Sequence, residues 1–337
     1  MGALCLAGWA PSSADSADQT YGAPGAGAAR TGSCHLNRIL RPTCGVLFGA
    51  YAHPTGSQSP EQAFRQLQRR TGTKLRVMHF YHQGRELFPT PWEMKLSRQG
   101  HRLLLNWKPE DGHTWAEVAR GAADSYIDAE ASYLRHHYAR KKFFLVIHHE
   151  PENEINTDPA SGMTAADFAR MFRHVEDRLK SDGVRNAVYV INYMGAQTYF
   201  LRSWHRQLWP GRKYVDWIGL DRYATPDMGG QEGGFAAMVN RHWGHEFRGA
   251  YHWAAKNHPH KPVMLVEWGV AEKPGSPSWK SRLFTSVTRG LDKMPHLKLL
   301  SYFNSSEGRS AGDVRADTTS TSMAGWRRLA AAGRFHR

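Results

Sequence analysis

The sequence predicts a (β/α)8 barrel, and three observations lead there. From residue 46 onward, short runs rich in β-branched, leucine and aromatic residues alternate with longer amphipathic stretches. Eight such runs occur, the number that closes a parallel barrel. Polar residues capable of chemistry gather at the carboxyl ends of the runs, where a barrel of this kind carries its site.

The strand candidates are Val46–Tyr51, Leu75–His82, Arg102–Lys108, Phe143–Glu150, Ala187–Tyr193, Val215–Tyr223, Val263–Gly269 and Leu299–Asn304. Each is a hydrophobic run of the length expected for a strand covered on both faces. Helices are expected over Trp115–Arg140, Ala165–Lys180 and Phe235–Asn257. The first places Tyr126, Ile127, Tyr133 and Leu134 on an apolar stripe, with Asp124, Asp128 and Arg135 opposite. The second starts at Thr164, an N-cap, with Asp167 in the first turn. A doubly wound sheet would need a Gly-rich phosphate turn after an early strand, and Gly45-Val46-Leu47-Phe48-Gly49 is not one.

The length, 337 residues, suits one large barrel, and no Gly-Ser linker or internal repeat divides it. Residues 1–40 read as an Ala/Gly/Ser-rich N-terminal segment and 41–337 as the barrel domain. Within that segment Gly2 to Ala10 is apolar but follows no basic residue, so it reads as a signal remnant or a disordered tail. Cys34 and Cys44 enclose a short loop and are placed to pair in an oxidising compartment, leaving Cys5 over. A secreted protein is therefore expected. No stretch is long enough to span a membrane. The net charge of +14 is spread in pairs such as Arg69–Arg70 and Lys141–Lys142, with no basic run interleaved with aromatics. Nucleic acid is not an expected partner.

The strand ends carry Tyr51 and His53, Tyr81 and His82, Trp107 and Lys108, His148-His149-Glu150, Asn192, Asp221 and Tyr223, Glu267 and Trp268, and Phe303 with Asn304. A run such as Phe143–Ile147 has no structural reason to end in His-His-Glu. Glu150 ends the fourth strand and Glu267 the seventh. Two carboxyl groups flanking a bond are what glycoside hydrolysis requires, one to protonate the departing oxygen and one to attack the anomeric carbon or activate water.

The segments Phe48-Gly49-Ala50-Tyr51, His148-His149-Glu150-Pro151-Glu152-Asn153, Tyr214-Val215-Asp216-Trp217-Ile218-Gly219-Leu220-Asp221 and Pro262-Val263-Met264-Leu265-Val266-Glu267-Trp268-Gly269 together resemble glycoside hydrolase family 26, the β-mannanase family. The resemblance covers about residues 45–332. It implies a retaining, endo-acting glycosidase with Glu150 as acid/base, Glu267 as nucleophile, His149 beside the acid/base and Tyr223 on the nucleophile. It departs from the family in the turn after Glu150, which has no Trp, and in Phe303, where a Trp is usual. The expected substrate is β-1,4-mannan, with glucan, xylan or an anionic envelope polysaccharide as alternatives.

The residues expected to meet substrate are His149, Tyr223, Trp268, Trp107, Lys108, His82, Tyr51, Asn192, Asp221 and Phe303. Trp107 either stacks on a sugar or packs beneath its loop. Asp221 is a rival nucleophile, better read as a hydrogen-bond acceptor, and Glu152 and Glu154 read as an exposed loop or cap. His79 reads as buried. His242 and His245 fall i,i+3 on the expected third helix as a solvated face, without a zinc pattern. No cofactor or metal is expected, and the chain reads as a monomer acting on a polysaccharide. A non-catalytic glycan-binding barrel is the rival class; it would keep the aromatic cleft and lose the carboxylate pair.

Overall fold

The computed structural model describes residues 34–226, 233–308 and 311–336, and the expected N-terminal segment, including Gly2 to Ala10 and Cys5, falls largely outside them. Eight parallel strands close in chain order: β1 (Leu47–Ala52), β2 (Val77–Gln83), β3 (Arg102–Lys108), β4 (Phe143–Ile147), β5 (Ala187–Tyr193), β6 (Trp217–Ala224), β7 (Val263–Val270) and β8 (Leu297–Asn304). The first pairs with the last from Leu47↔Leu299 to Ala52↔Asn304, which leaves no edge strand. This is the predicted (β/α)8 barrel, in a single domain.

The helices are α1 (Pro60–Thr71), α2 (Pro91–Arg98), α3 (Trp115–Val118), α4 (Asp124–Tyr133), α5 (Ala165–Ser181), α6 (Gln197–Phe200), α7 (Gly234–Val239), α8 (Ala250–Asn257), α9 (Trp279–Asp292) and α10 (Ser320–Ala331). The Thr164 side chain accepts from the Asp167 backbone N–H while the Asp167 carboxylate accepts from that of Thr164, closing a reciprocal cap on α5. Two expected helices are broken. Trp115–Arg140 becomes α3, α4 and a turn of wider helix over Leu134–Tyr138. Phe235–Asn257 becomes α7 and α8 around a loop, because Gly249 adopts φ +107 and a side chain there would sit 2.4 Å from the Asn240 Cα. His242 and His245 lie in that loop, not on a helix face.

Strand alternation divides the core into two layers. Leu47, Val77, Leu104, Phe144, Val146 and Trp217 belong to the cluster inside the barrel, and Leu40 with Leu36 and Ile39 closes it from below. The Trp217 indole donates to the Ile39 carbonyl at 2.7 Å, and a Cys34–Cys44 disulfide with Cα atoms 5.5 Å apart holds the loop that carries Ile39. The larger cluster lies between strands and helices. Among the described residues no helix is long and apolar enough to cross a membrane.

Candidate active site

The carboxyl ends of the strands form a mouth, and two backbone irregularities aim its carboxylates. The fourth strand ends at Ile147, not Glu150 as the hydrophobic run suggested. His148 and Glu150 both adopt left-handed backbone, φ 53 and φ 48. Non-glycine residues rarely do so, and the cost is of order 1–3 kcal/mol each. The turn swings Glu150 out of the sheet into Pro151–Asn153, where the Asn153 side-chain amide donates to its Oε2 at 3.1 Å. The Tyr199 hydroxyl lies 3.3 Å from Asn153 Oδ1.

The second irregularity is a bulge in β7. Leu220 pairs with Leu265, but Asp221 pairs with Glu267, so Val266 is extra. Val266 belongs to the barrel interior, and the bulge turns Glu267 inward as well. Gly219 makes room for it: a Cβ there would lie 2.5 Å from Val266 Cγ2.

Glu267 is 8% exposed and held on both oxygens. The Tyr81 hydroxyl donates to Oε1 at 2.5 Å and the Tyr223 hydroxyl to Oε2 at 2.5 Å. Burial, with the Glu267 charge second, pushes both phenols well above their ordinary value, so both stay protonated as donors. The backbone N–H of Glu267 donates to Asp221 Oδ1 at 2.8 Å. Burial, then the charges of Glu267 and Glu150, raises Asp221 well above the carboxylate range. Carboxylate oxygens of Glu150, Asp221 and Glu267 all lie within 4.8 Å of one another.

Rings line the mouth around this trio. Tyr51 stacks on Phe303 at 5.0 Å and meets the edge of Tyr81 at 5.1 Å, while His149 meets Tyr81 at 5.5 Å. The Tyr51 hydroxyl lies 3.1 Å from His53 Nδ1. Asn192 is fully buried beside Asp221, on which its side chain acts by hydrogen bonding.

Three residues expected at the substrate are packed away from it. Trp107 is fully buried with its indole on the Gly84 carbonyl at 3.0 Å, the second of its two readings. Trp268 is fully buried between Tyr302 and Phe235, because the bulge that turns Glu267 inward turns it toward the helices. His82 is 6% exposed, stacked on Phe88 with Nε2 3.3 Å from Glu93, on the helix side of β2. Lys108 stands at the rim and pairs with Glu154.

Glu152 is 4% exposed rather than on an open loop, and accepts from the Met194 N–H at 3.1 Å. Burial raises it to about 8. Glu154 belongs to a second cluster with Glu110 and His148, whose donor atoms also fall within 4.8 Å. These two trios are the groups with donors close enough to hold a cation among the described residues. Tyr81 was expected at a strand end but without a role on the nucleophile, and Asn153 only in the turn after Glu150; Tyr81 shares the inward face of β2 with His79, and that alternation was the available signal.

No family model matches the sequence, and no curated protein matches it. Solved structures do match in fold. A GH26 β-mannanase from Bacteroides ovatus superposes with a TM-score of 0.60 at 18% identity, over 87% of this chain and 90% of that one. A ruminal GH26 endo-β-1,4-mannanase gives 0.58 at 14% identity, covering 86% of this chain and 64% of the other. A β-mannanase from a symbiotic protist of the termite Reticulitermes speratus, complexed with gluco-manno-oligosaccharide, gives 0.57 at 14%, over 87% and 88%. At these identities the likeness is one of barrel architecture.

Proposed function

We propose that this protein is a retaining glycoside hydrolase that cleaves a β-linked polysaccharide, with β-1,4-mannan the first choice of substrate. One observation carries the reading: Glu150 and Glu267 bring carboxylate oxygens within 4.8 Å at the barrel mouth, with Glu267 gripped by two phenols. Retaining pairs stand about 5–5.5 Å apart, whereas inverting pairs need about 6.5–9.5 Å to admit a water. The names of the similar folds, endo-β-1,4-mannanases among them, favour mannan and endo action.

In the first step Glu267 attacks the anomeric carbon while Glu150 passes its proton to the departing glycosidic oxygen. The C–O bond to the leaving sugar breaks and a glycosyl ester on Glu267 forms. Glu150, now a carboxylate, takes a proton from water, whose oxygen displaces Glu267 and restores the β configuration. Tyr81 and Tyr223 hold the nucleophile in one orientation, and the Asp221 carboxyl fixes its backbone. His149 and the Tyr51–Phe303 stack offer edges and an apolar face to the sugar. The enzyme acts as a monomer without a cofactor. The Cys34–Cys44 bond fits an oxidising compartment, and we place the protein outside the cell.

The test is sugar release from a panel of mannan, glucan, xylan and anionic polysaccharides. Glu267→Ala should abolish activity on every substrate the wild type cleaves. Glu150→Ala should keep the first step on an aryl glycoside with a good leaving group, and azide should restore turnover with a β-configured product. Near wild-type activity in Glu267→Ala would sink the assignment, and rescue with inversion would sink the retaining mechanism.

A further inference from the structure

The amino-terminal end of the barrel, opposite the carboxylate mouth, carries a cavity of about 600 Å³ between the end of α1, the start of β2, α10 and the C-terminal turn. Arg69, Lys74, Arg76, Arg327 and His336 line it, and no Asp or Glu does. A second cavity of about 300 Å³ shares Arg76 and His336, adds Arg102 and His35, and again has no acidic wall. The first volume lies within the range of about 300–1,000 Å³ typical of ligand sites.

Among the described residues, none of Arg69, Lys74, Arg76, Arg102 and Arg327 forms an ion pair with a carboxylate. Their neighbours do: Arg70 pairs with Asp317 at 2.6 Å and Arg334 with Asp292. The carboxylates at this end therefore serve the flanks, and the groove keeps its positive charge. A favourable helix C-terminus accounts for Arg69, in the last turns of α1, but not for Lys74, Arg76 or Arg327. The Nε2 of His336 is buried and meets no hydrogen-bond partner among the described residues. Burial, then the Arg76 charge, lowers His336 from its ordinary value, with Arg102 and His35 acting the same way. The groove disfavours one more cation and has an unused donor or acceptor for a ligand.

We propose that this groove binds a polyanion carrying repeated phosphate or carboxylate groups. Arginine forks match both oxyanions, and two adjoining cavities sharing Arg76 and His336 extend beyond a single anion. Nucleic acid fits poorly. The two phenyl rings in the wall, Phe48 and Phe335, are 3% and 9% exposed and stacked on each other at 4.5 Å, so neither offers a base an open face. The inference rests on the cavity and its charges, independently of the chemistry proposed for the mouth.

Binding of long-chain inorganic polyphosphate and of polygalacturonate should be measured by calorimetry on the full chain, at low and at physiological ionic strength. The variants are R69Q/K74Q and R76Q/R327Q in the groove and R120Q/R206Q elsewhere, with thermal melts for each. Arg69, Lys74, Arg120 and Arg206 are exposed, so R69Q/K74Q decides the matter should R76Q/R327Q fold poorly. We expect at least one polymer to bind the wild type and R120Q/R206Q alike, and each folded groove variant at least tenfold more weakly; which polymer binds identifies the anion. Four outcomes overturn the proposal: no binding of either polymer at physiological salt, undiminished affinity in R69Q/K74Q, equal loss in R120Q/R206Q, or tighter binding of a single-stranded oligonucleotide than of polyphosphate.

Discussion

His148→Gln, followed as a function of pH, tests the charge network beneath Glu150. His148 is fully buried; its Nδ1–H donates to the His149 carbonyl at 2.8 Å, and Nε2 lies 3.0 Å from Glu110 and 3.2 Å from Glu154. Burial opposes the imidazolium, but the Glu110 carboxylate and then Glu154 overcome it and raise His148 to about 9 from an ordinary 6.5. Because the folded value lies above the unfolded one, the contribution is complete below about pH 6.5 and is lost as pH rises through about 9. At roughly 1.4 kcal/mol per pH unit, a rise of that size corresponds to about 3 kcal/mol. Hydrogen bonding to His148 in turn lowers Glu154 to about 2, so its share vanishes only in acid, and as it is about a third exposed no energy is assigned to it. Glu130, at about 9, and Glu152 and Glu176, at about 8, are raised by burial and also cost stability as pH rises. Glutamine leaves Glu130 and Glu176 as they are but takes the imidazolium from Glu110, Glu152 and Glu154, so the difference between wild type and variant reports His148 together with the carboxylates it faces. Urea unfolding followed by tryptophan fluorescence should show the wild type ahead by about 3 kcal/mol near pH 6, with the gap closing toward the folded-state value. A gap that stays constant from about pH 6 to 9.5 would refute the imidazolium assignment.

Tyr81→Phe and Tyr223→Phe each delete one hydrogen bond to the Glu267 carboxylate; at about 1.5–3 kcal/mol apiece, kcat/KM should fall about ten- to a hundredfold on an aryl glycoside. A loss below about twofold in both would mean the phenols do not support the nucleophile. Trp268→Ala should cost about 3–5 kcal/mol of stability in urea, as for a fully buried aromatic, while the folded enzyme keeps its KM. A stable variant with a raised KM would return Trp268 to the substrate.

Much of the fold was legible because barrel strands announce themselves by hydrophobic runs covered on both faces. β3 and β5 begin and end where the runs do, since Leu103–Leu105 and Val188–Ile191 are apolar and each run closes within a few residues of a single Asn, Asn106 or Asn192. Within the strands, alternation alone sorts Asn106 inward and Trp107 outward, or Tyr81 inward and His82 toward α2. Parity, rather than chemical type, decides that Trp107 takes the second of its two readings and that His82 faces α2 instead of substrate.

That Glu150 closely follows the fourth apolar run and that Glu267 lies in the carboxyl half of the seventh are properties of the sequence, because they follow from where the runs fall. How far each carboxylate is turned is not. Parity along β7 sends Met264, Val266 and Trp268 to one face and Glu267 to the other, and only the bulge opposite Asp221 reverses Glu267 and Trp268. The left-handed backbone at His148 and Glu150 is likewise held against local preference by partners distant in sequence, among them Glu110 and Trp115, which packs on the His148 ring. The few local bonds of the turn, His148 to the His149 carbonyl and Asn153 to Glu150, are not what fixes the bulge or the strained backbone. Bulge and turn persist because neighbouring strands and helices leave no lower-energy alternative, and that constraint exists only once the barrel has closed.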